Sequence, residues 1–290
     1  MNHLIERLKV AIPLVVITVL AFSLPGIFGK IAFTILALGL VLPTVHEACT
    51  LLKIDDKCGY QLNLMAIITV ITVTPLFCNC SIITLLVFDT VVLFMGLFIG
   101  CLLLFFHGIS QKDIAVFAKF TLVESLICAC LAPLPNIFYL PDHGPFLLFF
   151  LILITKLGDV GAYAIGTLTA RQQGGNHKLA PTISPKKSWE GLAGGVAFSI
   201  LAALLCFIFA REQLAPLGVF AVILLGLLAG IIGLIGDLAE SAIKRAANVK
   251  DSGNVPGLGG IFDIMDSLLF IGPLFLAFMF FYEIYKPTLL

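Results

Sequence analysis

The sequence predicts an all-α, polytopic integral membrane protein of about nine transmembrane helices, with its N-terminus in the cytoplasm. Composition comes first: 60% of the 290 residues are hydrophobic, 12% are charged, and the mean hydropathy is +1.12, values that belong to a chain whose main solvent is lipid. The second observation is the form of the apolar stretches. Runs such as IAFTILALGLVL and FAVILLGLLAGIIGLI are continuous, whereas the strands of a membrane β-barrel alternate apolar and polar residues. The third is the asymmetry of cations between the loops on the two sides.

A hydrocarbon core of about 30 Å takes roughly 20 apolar residues per helical crossing. On that measure the spans fall at about 10–28, 31–47, 61–78, 81–106, 114–133, 146–169, 191–210, 216–240 and 264–284. The first follows a charged start, MNHLIERLK, without a small-residue cleavage site after it, and reads as an uncleaved anchor. Gly29-Lys30 separates the first two spans, and the turn near Asn79 separates the third and fourth. Polar connections are short apart from 170–190 and 241–263, so residues 1–290 form one integral membrane domain. Within it, 1–135 holds N-terminal helices of weak motif content and 146–284 holds the helices and loops that carry chemistry. Nine spans put thirteen Lys and Arg on one side and three on the other, with Lys156 inside a span. The cation-rich side is the cytoplasmic one.

A net charge of zero argues against a nucleic-acid partner. The eight cysteines lie mostly within spans, where the side chain behaves as a small hydrophobe. Neither Cys78-x-Cys80 nor Cys128-x-Cys130 has the companions of a zinc site.

Charges inside spans are costly and therefore informative. Asp89 and Glu124 stand alone, while His46 and Glu47 at a span end are accounted for by interfacial solvation. In ITKLGDVGAYAIG, Lys156, Asp159 and Tyr163 recur at i, i+3 and i+7 and share one helical face. The loop after this span contains Gly174-Gly175, Pro181 and Pro185, which break helix, and Ser184, Lys186 and Lys187, which offer a hydroxyl and two cations. Ser188 to Glu190 can cap the helix that begins there. A helix N-terminus beside lysines suits an anion.

The densest polar stretch is GDLAESAIKRAANVKDSGNVPGLGGIFDIMDS, residues 236–267, with eight charges in 32 residues. Gly226, Gly230, Gly233 and Gly236 lead into it and permit close backbone approach. Asp237, Ser241 and Lys244 follow at i, i+4 and i+7 on one face, with Arg245 next in the chain, and Asp263 and Asp266 recur at i and i+3 beyond a glycine-rich turn. Carboxylates at helix ends near lysines make a hard-oxygen environment of the kind Mg²⁺ takes, with substrate phosphates completing its octahedron. Paired ions of this kind can clamp both oxygens of a displacement at phosphorus.

These segments resemble the signature of the phosphatidate cytidylyltransferase (CDP-diacylglycerol synthase) family. The pieces are Ser241-x-x-Lys244-Arg245, Lys250-Asp251-Ser252-Gly253, Pro256-Gly257-Leu258-Gly259-Gly260, Asp263-x-x-Asp266-Ser267 and, upstream, Lys156, Asp159, Ala162, Tyr163 and Ser184-Pro-Lys-Lys-Ser-Trp-Glu-Gly191. They cover about the C-terminal half. Leu258 stands where the family usually has His, Ile264 where it usually has Arg, and the turn between Gly253 and Pro256 is one residue shorter than usual.

The resemblance implies CTP plus phosphatidic acid giving CDP-diacylglycerol and pyrophosphate, with Mg²⁺ as cofactor and room for a second metal ion. Asp237 and Asp263 are first choices as metal ligands, with Asp266 and Asp251 next. Lys244, Arg245 and Lys250 neutralise phosphates. Ser184, Lys186, Lys187, Ser241, Lys156, Asp159 and Tyr163 bind substrate, and Asp159 and Tyr163 also orient the site. The expected location is the cell (inner) membrane with the site facing the cytoplasm; a homodimer is compatible with this. Two other readings fit parts of the pattern: a CTP-dependent polyisoprenoid or phytol kinase, and an ion-coupled secondary transporter. Acyl-chain preference and CTP against dCTP are not legible.

Overall fold

The computed structural model describes residues 12–13, 16–24, 26–54, 61, 87, 90–94, 98, 101, 110–255 and 259–289, with side chains described as far as 283. It is mostly helical. In chain order the elements are α1 (Gly26–Leu51), α2 (Gln111–Ser125), a π-helical segment (Leu126–Leu131), α3 (Pro133–Phe138), α4 (Gly144–Ala170), β1 (Lys178–Ala180), β2 (Ser184–Ser188), α5 (Trp189–Phe209), α6 (Arg211–Leu214), a 3-10 turn (Ala215–Leu217), α7 (Val219–Ala246), α8 (Phe262–Met265), a second 3-10 turn (Asp266–Leu268) and α9 (Ile271–Leu289).

Among the described residues, six helical stretches are long and apolar enough to cross a membrane: Gly26–Leu51, Gln111–Phe138, Gly144–Ala170, Trp189–Phe209, Val219–Ala246 and Phe262–Glu283. Each coincides with an expected span. Most of the expected spans at 61–78 and 81–106 and part of the first lie outside the described residues, as does Asp89. On α5, Leu201, Leu205, Ile208 and Phe209 point away from protein, a display that lipid accommodates and water does not. The chain is read as an integral membrane protein.

Two compact units divide the chain: Met1–Pro141 with Ala247–Met265, and Asp142–Ala246 with Asp266–Leu290. In the first, Ser110 starts α2 with a capping box, its hydroxyl taking the Asp113 N–H while the Asp113 carboxylate takes the Ser110 N–H. The core of this unit is aromatic. Phe33 and Phe138 stack with centroids 3.6 Å apart, and Phe22 and Tyr139 meet them edge-on. Tyr139 buries its ring but keeps a polar tip, with its hydroxyl 2.6 Å from Thr34 Oγ1 and donating to the Lys30 carbonyl. The short α8 packs on α1.

The second unit is built on close helix contacts through glycine. A Cβ on Gly161 would come within 2.5 Å of Phe198, one on Gly194 within 2.5 Å of Ile165, and one on Gly230 within 2.7 Å of the Val196 Cα. Glycine therefore lets α4 and α7 each lie against α5 at backbone distance, the association available to helices in lipid, where apolar burial adds little. Ser199 strengthens the seam by donating to the Ile154 carbonyl at 2.9 Å. Phe150 of α4 and Phe275 of α9, both fully buried, fill the other end.

Two stretches differ from the expectation of plain loop and continuous helix. Between α4 and α5, β1 and β2 form an antiparallel ribbon pairing Lys178 with Ser188 and Ala180 with Ser184. The expected helix 264–284 is broken instead: α8 makes one turn, a 3-10 turn follows, and α9 begins at Ile271. Asp266 supplies a reason, because its own carboxylate accepts the Ser267 N–H at 2.5 Å and so offers the backbone an alternative to the α-helical bond.

Candidate active site

The second unit gathers most of the residues singled out from sequence. Gly236 sets the arrangement, since a Cβ there would stand 2.3 Å from the Asp266 carbonyl oxygen. Only glycine lets α7 pass so near the turn that follows α8. As a result Asp237 and Asp266 face one another, and with Glu240 they bring one carboxylate oxygen each to within 4.8 Å of the others. Glu240 is fully buried.

Lysines answer these acids. Lys187 Nζ lies 2.9 Å from Asp237 Oδ2, Lys244 Nζ 2.7 Å from Glu240 Oε2, and Lys156 Nζ 3.7 Å from Asp266 Oδ1 and 3.4 Å from Asp159 Oδ2. Ser267 links them: its hydroxyl accepts from Lys156 Nζ at 2.7 Å and donates to Asp159 Oδ2 at 2.9 Å. Ser241 donates to Asp237 Oδ1 at 3.5 Å.

A cavity of about 260 Å³ opens over this network. Asp159, Tyr163, Ser184, Lys186, Lys187 and Asp237 all line it, together with Gly158, Gly191, Gly195 and Gly230. Ser188 ends β2 and caps α5 through its hydroxyl, which accepts the Gly191 N–H at 3.1 Å. Glu190 does not close a capping box. It turns back to His177, taking the His177 N–H and lying 2.6 Å from Nδ1, which fixes the ribbon that carries Ser184 to Lys187. Arg245 clamps the other side of the same ribbon, donating from Nε to the Ile183 carbonyl.

The first unit holds the remaining candidates on the segment 247–265. Lys250 and Asp251 are exposed. Asp263 Oδ2 accepts the Ser252 N–H at 3.0 Å and the Gly260 N–H at 2.6 Å, so this carboxylate closes its own loop. Val255 and Gly259 pair across the loop, and Gly259 has a φ of +87°, which glycine adopts freely. Leu258 lies outside the described residues.

The ligand set expected first was Asp237 with Asp263; the acids the structure groups are Asp237, Glu240 and Asp266. The structure adds Glu240 and Ser267 to the expected site residues; Glu240 follows Asp237 at i+3 and so shares its face. Glu47 was read as interfacially solvated. In fact its carboxylate takes hydrogen bonds from Ser252, Ile261 and Phe262.

As a donor set, three carboxylates in one half-buried group suit a hard divalent cation. The ion-paired set comprises four acids (Asp159, Asp237, Glu240, Asp266) and three lysines (Lys156, Lys187, Lys244), which leaves one negative charge in surplus.

Comparisons with known proteins agree with this chemistry. Residues 5–282 match the cytidylyltransferase family. An uncharacterized protein, YnbB, of Escherichia coli is 41% identical over 137 residues, covering 47% of this chain and 43% of that one. The phosphatidate cytidylyltransferase of Bacillus subtilis is 36% identical over 194 residues, 59% of this chain and 69% of that enzyme. That of Haemophilus influenzae is 38% identical over 143 residues, 49% and 48% of the two chains. Apart from the Bacillus subtilis enzyme, these matches span about half the length of the relative. With nearly its whole length matched, the chain belongs to the cytidylyltransferase family.

Proposed function

We propose that this chain is a phosphatidate cytidylyltransferase, joining CTP and phosphatidic acid to give CDP-diacylglycerol and pyrophosphate in phospholipid biosynthesis. The observation that carries the reading is the cavity of the second unit, where Ser184, Lys186 and Lys187 share a wall with Asp159 and Asp237. Such a wall holds phosphate on one side and a metal on the other.

In the reaction a phosphate oxygen of phosphatidic acid attacks the α-phosphorus of CTP in line, and the bond from that phosphorus to the α–β bridging oxygen breaks. Pyrophosphate leaves. The nucleophile already carries charge, so no strong general base is required; the barrier comes from repulsion between two polyanions and from positioning them. Asp237, Glu240 and Asp266 would hold Mg²⁺, which neutralises phosphate charge and stabilises the leaving group. Lys187, with Lys186 and Ser184 on the same cavity lining, would bind the nucleotide phosphates. Lys156 and Ser267 hold Asp159 and Asp266 in place. Lys244 pairs with Glu240 beside Asp237, and Arg245 steadies the ribbon.

The roles that the family motif implies for Lys250, Asp251 and Asp263, phosphate neutralisation for the first and metal binding for the others, remain proposals read from the motif. So do nine crossings in one integral membrane domain with a cytoplasmic N-terminus, a second metal ion, and a site open to the cytoplasm at the inner membrane. Thirteen cations against three support that orientation.

The test is direct. Membranes containing the protein, given CTP, Mg²⁺ and phosphatidic acid, should yield CDP-diacylglycerol and pyrophosphate in equal amounts. CDP with a phosphorylated alcohol would mark a kinase and overturn the proposal. Solute uptake without either product would mark a transporter and overturn it too.

A further inference from the structure

Glu47 lies in the last turn of α1, more than 200 residues from the motif loop it engages. Its carboxylate accepts three hydrogen bonds, all from that loop: Oε2 from Ser252 Oγ at 2.7 Å and from the Phe262 N–H at 2.9 Å, Oε1 from the Ile261 N–H at 3.0 Å. The loop is shaped to admit it. A Cβ on Gly253 would stand 2.4 Å from Glu47 Oε1, and one on Gly260 would stand 2.3 Å from Oε2. Two glycines of the motif are therefore explained by a residue far outside it.

Consider what each anchor restrains. Ser252 directly follows Lys250 and Asp251 in the chain, and Phe262 directly precedes Asp263. Asp263 closes the same loop from within through Ser252 and Gly260. One carboxylate from α1 and one from α8 thus grip opposite ends of a single loop. Neither grip can be supplied by water alone, since Ser252 and Phe262 are buried.

We infer that Glu47 is a positioning residue, holding the two described arms of the motif loop, 251–255 and 259–263, in the form that Lys250, Asp251 and Asp263 need for the roles the motif implies. The inference rests on the proposed function for its chemical purpose. Its physical content, that the Glu47 carboxylate keeps the loop ordered, stands apart from which reaction is catalysed. The carboxylate acts through the loop and does not touch substrate. Glutamine cannot replace it, because Gln has one acceptor oxygen and would turn an NH₂ group toward a donor.

The experiment compares wild type, Glu47→Gln, Ser252→Ala and the double variant, in detergent-purified full-length protein. Hydrogen exchange of peptides covering 251–263 is followed beside peptides from α4 and α5. Steady-state kinetics with CTP and phosphatidic acid run in parallel. In Glu47→Gln the loop amides should exchange at least about tenfold faster, the loss expected of a hydrogen bond to a charged group, while α4 and α5 exchange as in wild type. The kcat should fall at least about tenfold with the KM for CTP moving less than about threefold, because the nucleotide cavity is built from other residues. Ser252→Ala should cost little in the Glu47→Gln background, its partner being gone.

Wild-type exchange across 251–263 in Glu47→Gln would overturn the inference. So would faster exchange spread through α4 and α5, which marks general damage, or a kcat within about threefold of wild type. If wild type makes no CDP-diacylglycerol, the proposed function fails, and the exchange comparison still decides whether Glu47 orders the loop.

Discussion

The contact between Gly236 and the Asp266 carbonyl offers a sharp test of how the acid group is assembled. Gly236→Ala places a methyl group 2.3 Å from that oxygen, where ordinary contact begins at 3.4 Å. Backbone on both sides leaves no flexible side chain to yield, so α7 and the 3-10 turn must part by about 1 Å, a displacement that can cost about 100-fold in rate when reacting groups are misplaced by that much. Stability should change less. Overpacking costs about 1–3 kcal/mol, and about 1 kcal/mol returns because alanine favours helix over glycine. Gly39→Ala is the control, since a Cβ there meets nothing within 4 Å. The assay is CDP-diacylglycerol formation per purified molecule, beside thermal unfolding in detergent. Gly236→Ala retaining activity within about threefold of wild type would refute the claim that this contact sets the spacing of Asp237 and Asp266.

Three further outcomes follow from the same geometry. Asp237→Asn should reduce kcat by about 100-fold or more, the scale of losing one preorganised electrostatic group, while the protein still elutes as a folded species from size exclusion. Lys187→Met should raise the KM for CTP by about 10-fold to 100-fold, corresponding to about 1.5–3 kcal/mol for a charge-assisted bond to phosphate, measured by initial rates at saturating phosphatidic acid. Phe138→Ala removes a buried ring stacked 3.6 Å from Phe33 and should destabilise the first unit by about 3–5 kcal/mol, read as a lower unfolding temperature.

Among the described residues, the six helical stretches long and apolar enough to cross a membrane could be read from sequence because their apolar runs are long, and nothing in a bilayer competes with helix for a backbone that must satisfy itself. The ribbon 178–188 was less legible. Its strands are three and five residues long, too short for alternation to show, and its hold comes from Glu190 and Arg245, which act across the fold. At the site, Lys156 with Asp159 was visible as a spacing on one helix. Ser267 was not, because serine is unremarkable until Lys156 and Asp159 close on it from α4. Glu47 was the hardest to foresee. An acid at a helix end ordinarily faces water, and only the path of loop 251–263 reveals that it faces backbone N–H groups instead.

The ion pairs of the second unit also explain how its acid group is held together. Isolated carboxylates at Asp237, Glu240 and Asp266 would repel one another and resist burial, yet each is matched by a lysine at 2.7–3.7 Å. These lysines do double service. Lys187 both pairs with Asp237 and lines the adjoining cavity, so its Nζ would be within reach of a phosphate bound there. Lys244 differs, being paired within one helix at i, i+4 with a fully buried partner, so it serves the acid group by compensating that buried carboxylate. Removing Lys187 should therefore be felt in nucleotide binding, whereas removing Lys244 leaves a buried charge uncompensated and should be felt in folding as well.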